Sequence, residues 1–462
     1  MFFGLQGSNF SGINSIYTNP ALVGLMPSKR SANISAVGFD ISNNYLSLEA
    51  PFSLWNLATG SVGDEYRDID GNIAWDKNWL KTDNSVDAIS GAMNLEYRGP
   101  SYANTYGRLV WATATRTRSN FTISQMSPEM AGWLIKLLDT SAPLDIAEFA
   151  SNSMDINANS YQEISAVLSY RVVNSKSLRL SLGGALKGIL GLGSLSLQNT
   201  GVNFSVDGAS SIRLESGTMN LSYTDNRLLN QIFKGVISGS LPNLGSICGF
   251  GLGFDAGIAM EIGNNMSTDL KNGVNSKDYK LKVGIALLDI GDVTYNNSNK
   301  NYIIDGTIPV EMSLIDPEFI AATAEGSDAL LNYTIDYARK SGALKESSVK
   351  TTVSLPSSLQ IQADYKVWKN IFVGMLWQQR VQLQGENTWL KNSSMVLVPR
   401  FEHKWFELSM PISSFHNYKE FGLGSFIRIH SLYFGTDNIL SAFRISKYSG
   451  INLYMGISTN IN

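Results

Sequence analysis

From Ser177 to Leu190 the chain alternates between two faces. Leu178, Leu180, Leu182, Gly184, Leu186, Gly188 and Leu190 fall on one side, and Ser177, Arg179, Ser181, Gly183, Ala185 and Lys187 on the other. The same period returns from Gly249 to Ile262. There Phe250, Leu252, Phe254, Ala256, Ile258, Met260 and Ile262 oppose Gly249, Gly251, Gly253, Asp255, Gly257, Ala259 and Glu261. Between Tyr161 and Arg171 it appears again, with Ile164, Ala166, Leu168, Tyr170 and then Val172 on one side. Successive residues of a strand point to opposite faces, so period two means strand. These runs span 11 to 14 residues. Soluble strands typically have about 5–6 residues, whereas a tilted membrane-crossing strand needs about 9–11. One continuous apolar face suits lipid, and a small or charged face suits a barrel interior.

Composition agrees. Charged residues are 16% of the 462, against roughly 25% in an ordinary soluble domain. Aromatics reach 10%, and there are 41 glycines. A net charge of -3 gives no electrostatic basis for a nucleic-acid partner. One cysteine, Cys248, excludes a disulfide framework or a thiolate metal cluster, and three histidines leave little room for imidazole chemistry. The longest apolar runs, such as Ile247 to Phe254, fall far short of the ~18 residues of a spanning helix.

Short polar links such as Asn174-Ser175-Lys176 and Trp368-Lys369-Asn370 join consecutive alternating runs, whereas Ser61 to Asp87 and Asp316 to Thr352 are long and polar. Tight turns at one rim and long loops at the other are the outer-membrane pattern. The expected fold is therefore all-β, a transmembrane antiparallel β-barrel of about 14 strands, with roughly 12 to 16 admissible. Strands are expected near 31–50, 90–98, 103–124, 160–173, 177–190, 200–224, 249–262, 279–295, 302–314, 357–367, 371–384, 393–402, 404–412, 420–434 and 451–461. Met1-Phe2-Phe3-Gly4 carries no basic start and no long apolar stretch, so it does not read as a signal peptide. The expectation is the mature chain of an exported protein.

Three helical insertions are expected near 127–150, 226–239 and 316–341. Ser127-Pro128-Glu129 and Asp316-Pro317-Glu318 both place a capping residue, a first-turn proline and an acid at a helix start. Leu228, Leu229, Ile232, Phe233, Val236 and Ile237 form one stripe ending near Gly239. The stripe is a candidate surface for docking a partner.

Catalytic signatures are sparse. Asp68-Ile69-Asp70-Gly71-Asn72 resembles a calcium loop, but its glycine stands fourth rather than sixth and no glutamate closes it. A solvated acidic loop, or at most a weak Ca²⁺ site near Asp68, is expected. No nucleophile elbow, phosphate loop or dinucleotide fingerprint is present, and His403 and His416 lie in no triad-like context. No enzyme activity, cofactor or metal site is therefore expected. Cys248 reads as a small hydrophobe. Arg179, Lys187, Asp255 and Glu261 are the candidate lumen-facing charges. Tyr279, Tyr295, Tyr365, Trp368 and Trp405 fall near strand ends, where a girdle of rings at the headgroup level is expected. Asp289 and Gly291 read as turn formers at a strand end.

Several stretches carry a resemblance. Tyr17-Thr18-Asn19-Pro20-Ala21 just ahead of the first strand, Gly253-Phe254-Asp255-Ala256-Gly257, and Leu287-Leu288-Asp289-Ile290-Gly291 are three of them. Leu432-Tyr433-Phe434-Gly435-Thr436-Asp437-Asn438 and the closing Gly450 to Ile457 are two more. In this order they resemble Bacteroidota outer-membrane barrels of the PorV and PorP/SprF kind, and fatty-acid-transporter (FadL-like) barrels. The chain departs from many outer-membrane barrels in ending on Asn462 rather than an aromatic residue. The resemblance implies residues 1–29 as an N-terminal hatch, with Asn19, Pro20 and Ala21 at its centre, and 30–462 as barrel. Glycines on the inner face, Gly257 among them, would leave room for a hatch. The resemblance further implies a bacterial outer-membrane location. It implies a non-enzymatic accessory subunit of a protein export or surface-assembly complex, whose partners are lipid and other outer-membrane or surface proteins. The alternative is transport of a hydrophobic or amphiphilic small molecule.

Overall fold

The computed structural model describes residues 2–461 except 54–55, 57–59, 75, 84, 133–146, 208–210, 225–246, 269–278, 296–298, 309, 326, 348–349, 382–392, 416, 419 and 440–449. Its sheet closes on itself as a 14-strand antiparallel barrel. The strands are β1 (Arg30–Asn43), β2 (Ile89–Arg98 and Ser101–Tyr106), β3 (Leu109–Met126), β4 (Ala147–Asn174) and β5 (Leu178–Asp207). Next come β6 (Ser211–Thr224 and Gly249–Gly263), β7 (Tyr279–Tyr295, Asn299–Asp305 and Val310–Ser313) and β8 (Leu344–Ser347, Thr351–Ser354 and Ser358–Trp368). The circuit continues through β9 (Ile371–Arg380), β10 (Ser394–Glu402), β11 (Phe406–Ser409 and Ile412–Phe415), β12 (Glu420–Leu423 and Ser425–Ile429), β13 (Leu432–Thr436) and β14 (Gly450–Ile461). Closure is made by β14 on β1, from Arg30↔Ile461 to Ser42↔Gly450.

Alternation sets the two faces. Phe250, Leu252 and Phe254 are 59%, 69% and 48% exposed, whereas Asp255 and Glu261 are buried. Leu186, Leu397, Leu408 and Met455 continue this outward apolar belt around the barrel. Among the described residues no helix is long and apolar enough to cross a membrane; strands make the crossing. The turns at Gly107-Arg108, Lys369-Asn370 and His430-Ser431 all fall at one rim, and the long connections fall at the other.

The strands differ from expectation mainly in height. β4 has 28 residues and β5 has 30, so they run well past the apolar belt into Ser- and Asn-rich sequence. The expected strand 200–224 is the tip of β5 followed by the upper half of β6. β6 is interrupted. Both of its parts pair with β5, through Leu195↔Tyr223 above and Gly249↔Gly191 below. The expected helix 226–239, with the docking stripe from Leu228 to Ile237, lies outside the described residues. So does His416. Residues 128–132 are helical, but Ala147 opens β4. The helix expected over 127–150 is thus corrected at its end, because pairing with β5 claims that backbone. The third expected insertion forms α1 (Pro317–Glu325) and α2 (Ser327–Lys340).

The girdle is also corrected. Tyr365, Trp368 and Trp405 stand exposed near the short-turn rim, but Tyr279 and Tyr295 are fully buried and point inward. The phenol of Tyr279 donates to Asp364 and Tyr295 donates to the Ser160 carbonyl at 3.3 Å. Each ring faces inward beyond a register slip of β7 against β6, one opposite Ile262–Gly263 and one opposite Phe254–Ala256, which proximity to a strand end does not reveal.

The chain ahead of β1 lies inside the barrel. It forms two 3-10 turns, Gly12–Tyr17 and Leu22–Leu25. Phe2, Leu5, Ile13 and Val23 are at most 1% exposed.

Candidate functional site, the lumenal chamber

Inward parity gathers charge. Arg116 and Arg118 are two positions apart on β3, so both face the lumen. Glu163 on β4 is directly opposite Arg116 and accepts from Arg116 at 2.7 Å and from Arg118 Nε at 2.7 Å. Arg118 also donates to Asp289 at 2.9 and 3.0 Å. Lys187 on β5 lies 2.7 Å from Asp255 on β6 and also pairs with Asp289. Asp289 is a third correction. It sits within β7 rather than at a strand end, with φ +58°, where the register slips between Phe254 and Ala256 of β6. Its amide donates to Asp255 at 2.7 Å. The bulge turns a carboxylate that strand geometry would aim elsewhere into the centre of the arginines.

Further groups complete the wall. Arg179 donates to Glu261 at 2.9 Å, and Lys282 lies 3.1 Å from the same carboxylate. Arg400 grips Asp364 at 2.8 and 2.6 Å and Glu402 at 2.7 Å. Arg428 donates to Glu407 at 3.2 Å. The candidate lumen-facing residues Arg179, Lys187, Asp255 and Glu261 are therefore all placed inside, in two opposite-charge pairs. Arg116, Arg118, Glu163, Asp289, Asp364, Arg400, Glu402, Glu407 and Arg428 were not singled out from the sequence. Their signal was present as charges in the inward phase, as in Arg116-x-Arg118 and Arg400-x-Glu402. Pairing is what makes this possible, since an unpaired ion out of water costs several kcal/mol.

The same charges hold the N-terminal segment. Asn9 donates from its backbone and side chain to Glu402 at 3.1 and 2.9 Å, and accepts from Lys282 at 2.8 Å. Ser8 donates to Glu407 at 2.8 Å. Phe3 N donates to Asp437 and Gly4 N to the Tyr454 hydroxyl, each at 3.0 Å. The Arg98 guanidinium stacks on Phe2 at 3.8 Å and on Tyr17 at 4.4 Å, a cation–π arrangement. Of the candidate hatch residues, Asn19 donates to the carbonyls of Ile258 and Ile285 at 3.0 and 3.3 Å and accepts from Ala21 N at 2.9 Å. The wall is bare where these residues lie. A Cβ at Gly183 would stand 2.4 Å from Ala21 N, and one at Gly257 only 2.1 Å from the Asn19 Oδ1.

Above this segment, toward the long-loop rim, lies a chamber of about 1330 Å³ including its open mouth. Phe3, Gln6 and Tyr17 floor it. Its wall mixes Ala92 and Phe415 with Asn94, Asn452, Arg116 and Gln378. Asp40 in the wall accepts from Asn94 at 3.1 Å and Asn452 at 3.0 Å. The chamber offers amide and apolar surface together; its arginines and Glu96 are paired with opposite charges, and Asp40 is held by amides.

Elsewhere, Asp68 caps its own turn, accepting from Asp70 N at 3.0 Å and Asn72 N at 2.8 Å. Among the described residues no group of acids, histidines and cysteine is arranged to hold a metal ion. Cys248 is buried against the Gly191 carbonyl. His403 packs on the Phe406 ring at the short-turn rim.

A family model covers residues 20–437, almost the whole barrel. The chain belongs to DUF5723, a family of unknown function. No curated protein matches the DUF5723 chain in sequence. Among solved structures it is similar to the Ralstonia pickettii toluene transporter TbuX, with 9% identity, TM-score 0.44 and full coverage of both chains. The P. putida toluene transporter TodX aligns at 8% identity and TM-score 0.41 over 96% of this chain and 93% of that one. The translocator domain of the autotransporter NalP from Neisseria meningitidis aligns at 7% and 0.34, over 97% and 94%. At this level the likeness concerns neither site nor substrate.

Proposed function

We propose that the protein sits in a bacterial outer membrane, long-loop rim outward, and passes a small amphiphilic molecule across it, with residues 1–29 acting as a plug. The observation that carries this reading is the chamber above a seated N-terminal segment. An open diffusion pore would need no filling, and a purely structural barrel would need no chamber. The lining decides the ligand class. A bare hydrocarbon would displace water from the Asp40, Asn94 and Asn452 cluster without offering it a hydrogen bond. A small ion would meet arginines and a Glu96 already paired with one another and an Asp40 already held by two amides. A molecule with a polar head and an apolar body satisfies both kinds of surface.

The test is native mass spectrometry of barrel extracted in mild detergent, beside an Ala92→Trp variant that fills the chamber wall. Wild type is expected to release a small amphiphile that the variant lacks. Steady ionic current through wild type in planar bilayers would overturn the reading. The other function expected from the sequence, an accessory subunit of an export or surface-assembly complex, has no supporting observation among the described residues. Its candidate docking stripe lies outside them.

A further inference from the structure

A second cavity, of about 620 Å³ including its open mouth, lies beside the N-terminal segment toward the short-turn rim. Three adjacent strands report how close the two cavities come. On β9, Gly374 and Leu376 line the lower one and Gln378 the upper. On β10, Val398 lines the lower and Ser394 the upper, with the buried Val396 between. On β8, Gln362 lines the lower and Pro356 the upper, and Gln360 between them donates to Gln378 at 3.2 Å. Inward neighbours on one strand are about 7 Å apart, so the partition is roughly one side chain thick.

Gln6 lines both cavities. Phe3 floors the upper one and packs on Leu376, Val396 and Val398. Between Phe2 and Asn9 only Gln6 and Gly7 fall short of full burial. On either side of them the segment is fastened, by Asp437 and Tyr454 through Phe3 and Gly4, and by Glu402, Glu407 and Lys282 through Ser8 and Asn9. Removing the whole segment would strip partners from several buried charges at once. Shifting the side chains of Phe3 and Gln6 breaks none of these contacts.

We propose that the passage runs along β8, β9 and β10 through a septum of Phe3, Gln6 and Leu376, while the remainder of the N-terminal segment stays in place. Gln6 is the selecting residue, with an amide on the septum's segment side and Leu376 on its wall side, the pairing an amphiphile would meet. This rests on the transport reading and gives it a route.

The test reads potassium chloride current in planar bilayers. Wild type is expected to be silent, and Gln6→Gly to give discrete current steps. To hold the segment close to Gln6, Gly12→Cys and Ser31→Cys are combined in a Cys248→Ser background. A Cβ at Gly12 stands 3.1 Å from that of Ser31, near the ~3.5–4.5 Å of natural disulfides. Oxidised and reduced forms of the Gln6→Gly barrel should conduct alike. Current only after reduction would mean that the segment leaves, and would overturn the proposal. Silence in both forms, from a barrel that still migrates as folded in unheated gels, would overturn it as well. Leu376→Ala thins the same septum from the wall and should also conduct, which guards against a Gln6 variant that fails to fold. A wild type that conducts steadily would remove the transport reading and the septum together.

Discussion

Glu163 has no exposed surface and holds two guanidiniums at once. Glu163→Gln keeps the shape and removes the charge, leaving Arg116 and Arg118 to share Asp289. Breaking one partner of a buried ion group costs about 3–5 kcal/mol. A loss of that size is expected in urea unfolding of the barrel in detergent or liposomes, and a loss below about 1 kcal/mol would mean that water already screens the group. At Gly183, a methyl group would collide with backbone rather than a flexible side chain. Gly183→Ala should therefore unseat Asn19–Ala21 and expose the N-terminal segment to added protease, while the barrel remains folded by gel mobility. Much of this was readable. Parity alone put Arg179, Lys187, Asp255 and Glu261 inside, since their neighbours in phase are small. Asp289 was not readable, because a bulge changes parity and leaves no mark in composition.

At the level of elements, the apolar belt and the polar extension behave differently. Ile258 stands 46% exposed near the middle of the outward row of β6. Ile258→Arg should cost about 2–4 kcal/mol, the depth-dependent penalty for arginine facing lipid near the midplane, in folding into bilayers. The same change at Trp405 on the rim should cost far less. The belt was legible because lipid demands a continuous apolar face. The upper parts of β4 and β5 were not, since beyond the lipid only scattered residues such as Ala158, Leu195 and Val202 are packed and no continuous apolar row is demanded. Up there Asp305 on β7 pairs with Lys345 on β8 at 2.8 Å and accepts from Thr307, which holds its carboxyl down at about 2. A depressed carboxyl stabilises above its unfolded pKa, and the benefit goes as pH falls through the folded value. Protection from hydrogen exchange in this corner, taken relative to the intrinsic rate at each pH, should thus hold from neutral pH down to about 4, and fall only as pH approaches 2. Loosening already at pH 5 would assign the pairing elsewhere.

At the scale of the whole molecule, strand pairing and lumen filling are separable. The ladder from β1 to β14 uses backbone groups of residues 30–461. Deleting residues 2–28 should leave a barrel that closes and binds detergent, but with a wide bore that passes current in planar bilayers. Failure of that variant to fold at all would show that the interior charges cannot do without Asn9 and the other residues of the segment that partner them.

The inner segment also dictates an order of events. Phe3 finds its partner 434 positions away, and Gly4 and Phe10 find theirs 450 positions away, in or next to the closing strand. Residues near the start of this segment are thus among the last to find their places. Loops this long close slowly, so the interior is complete only once the final hairpin has arrived.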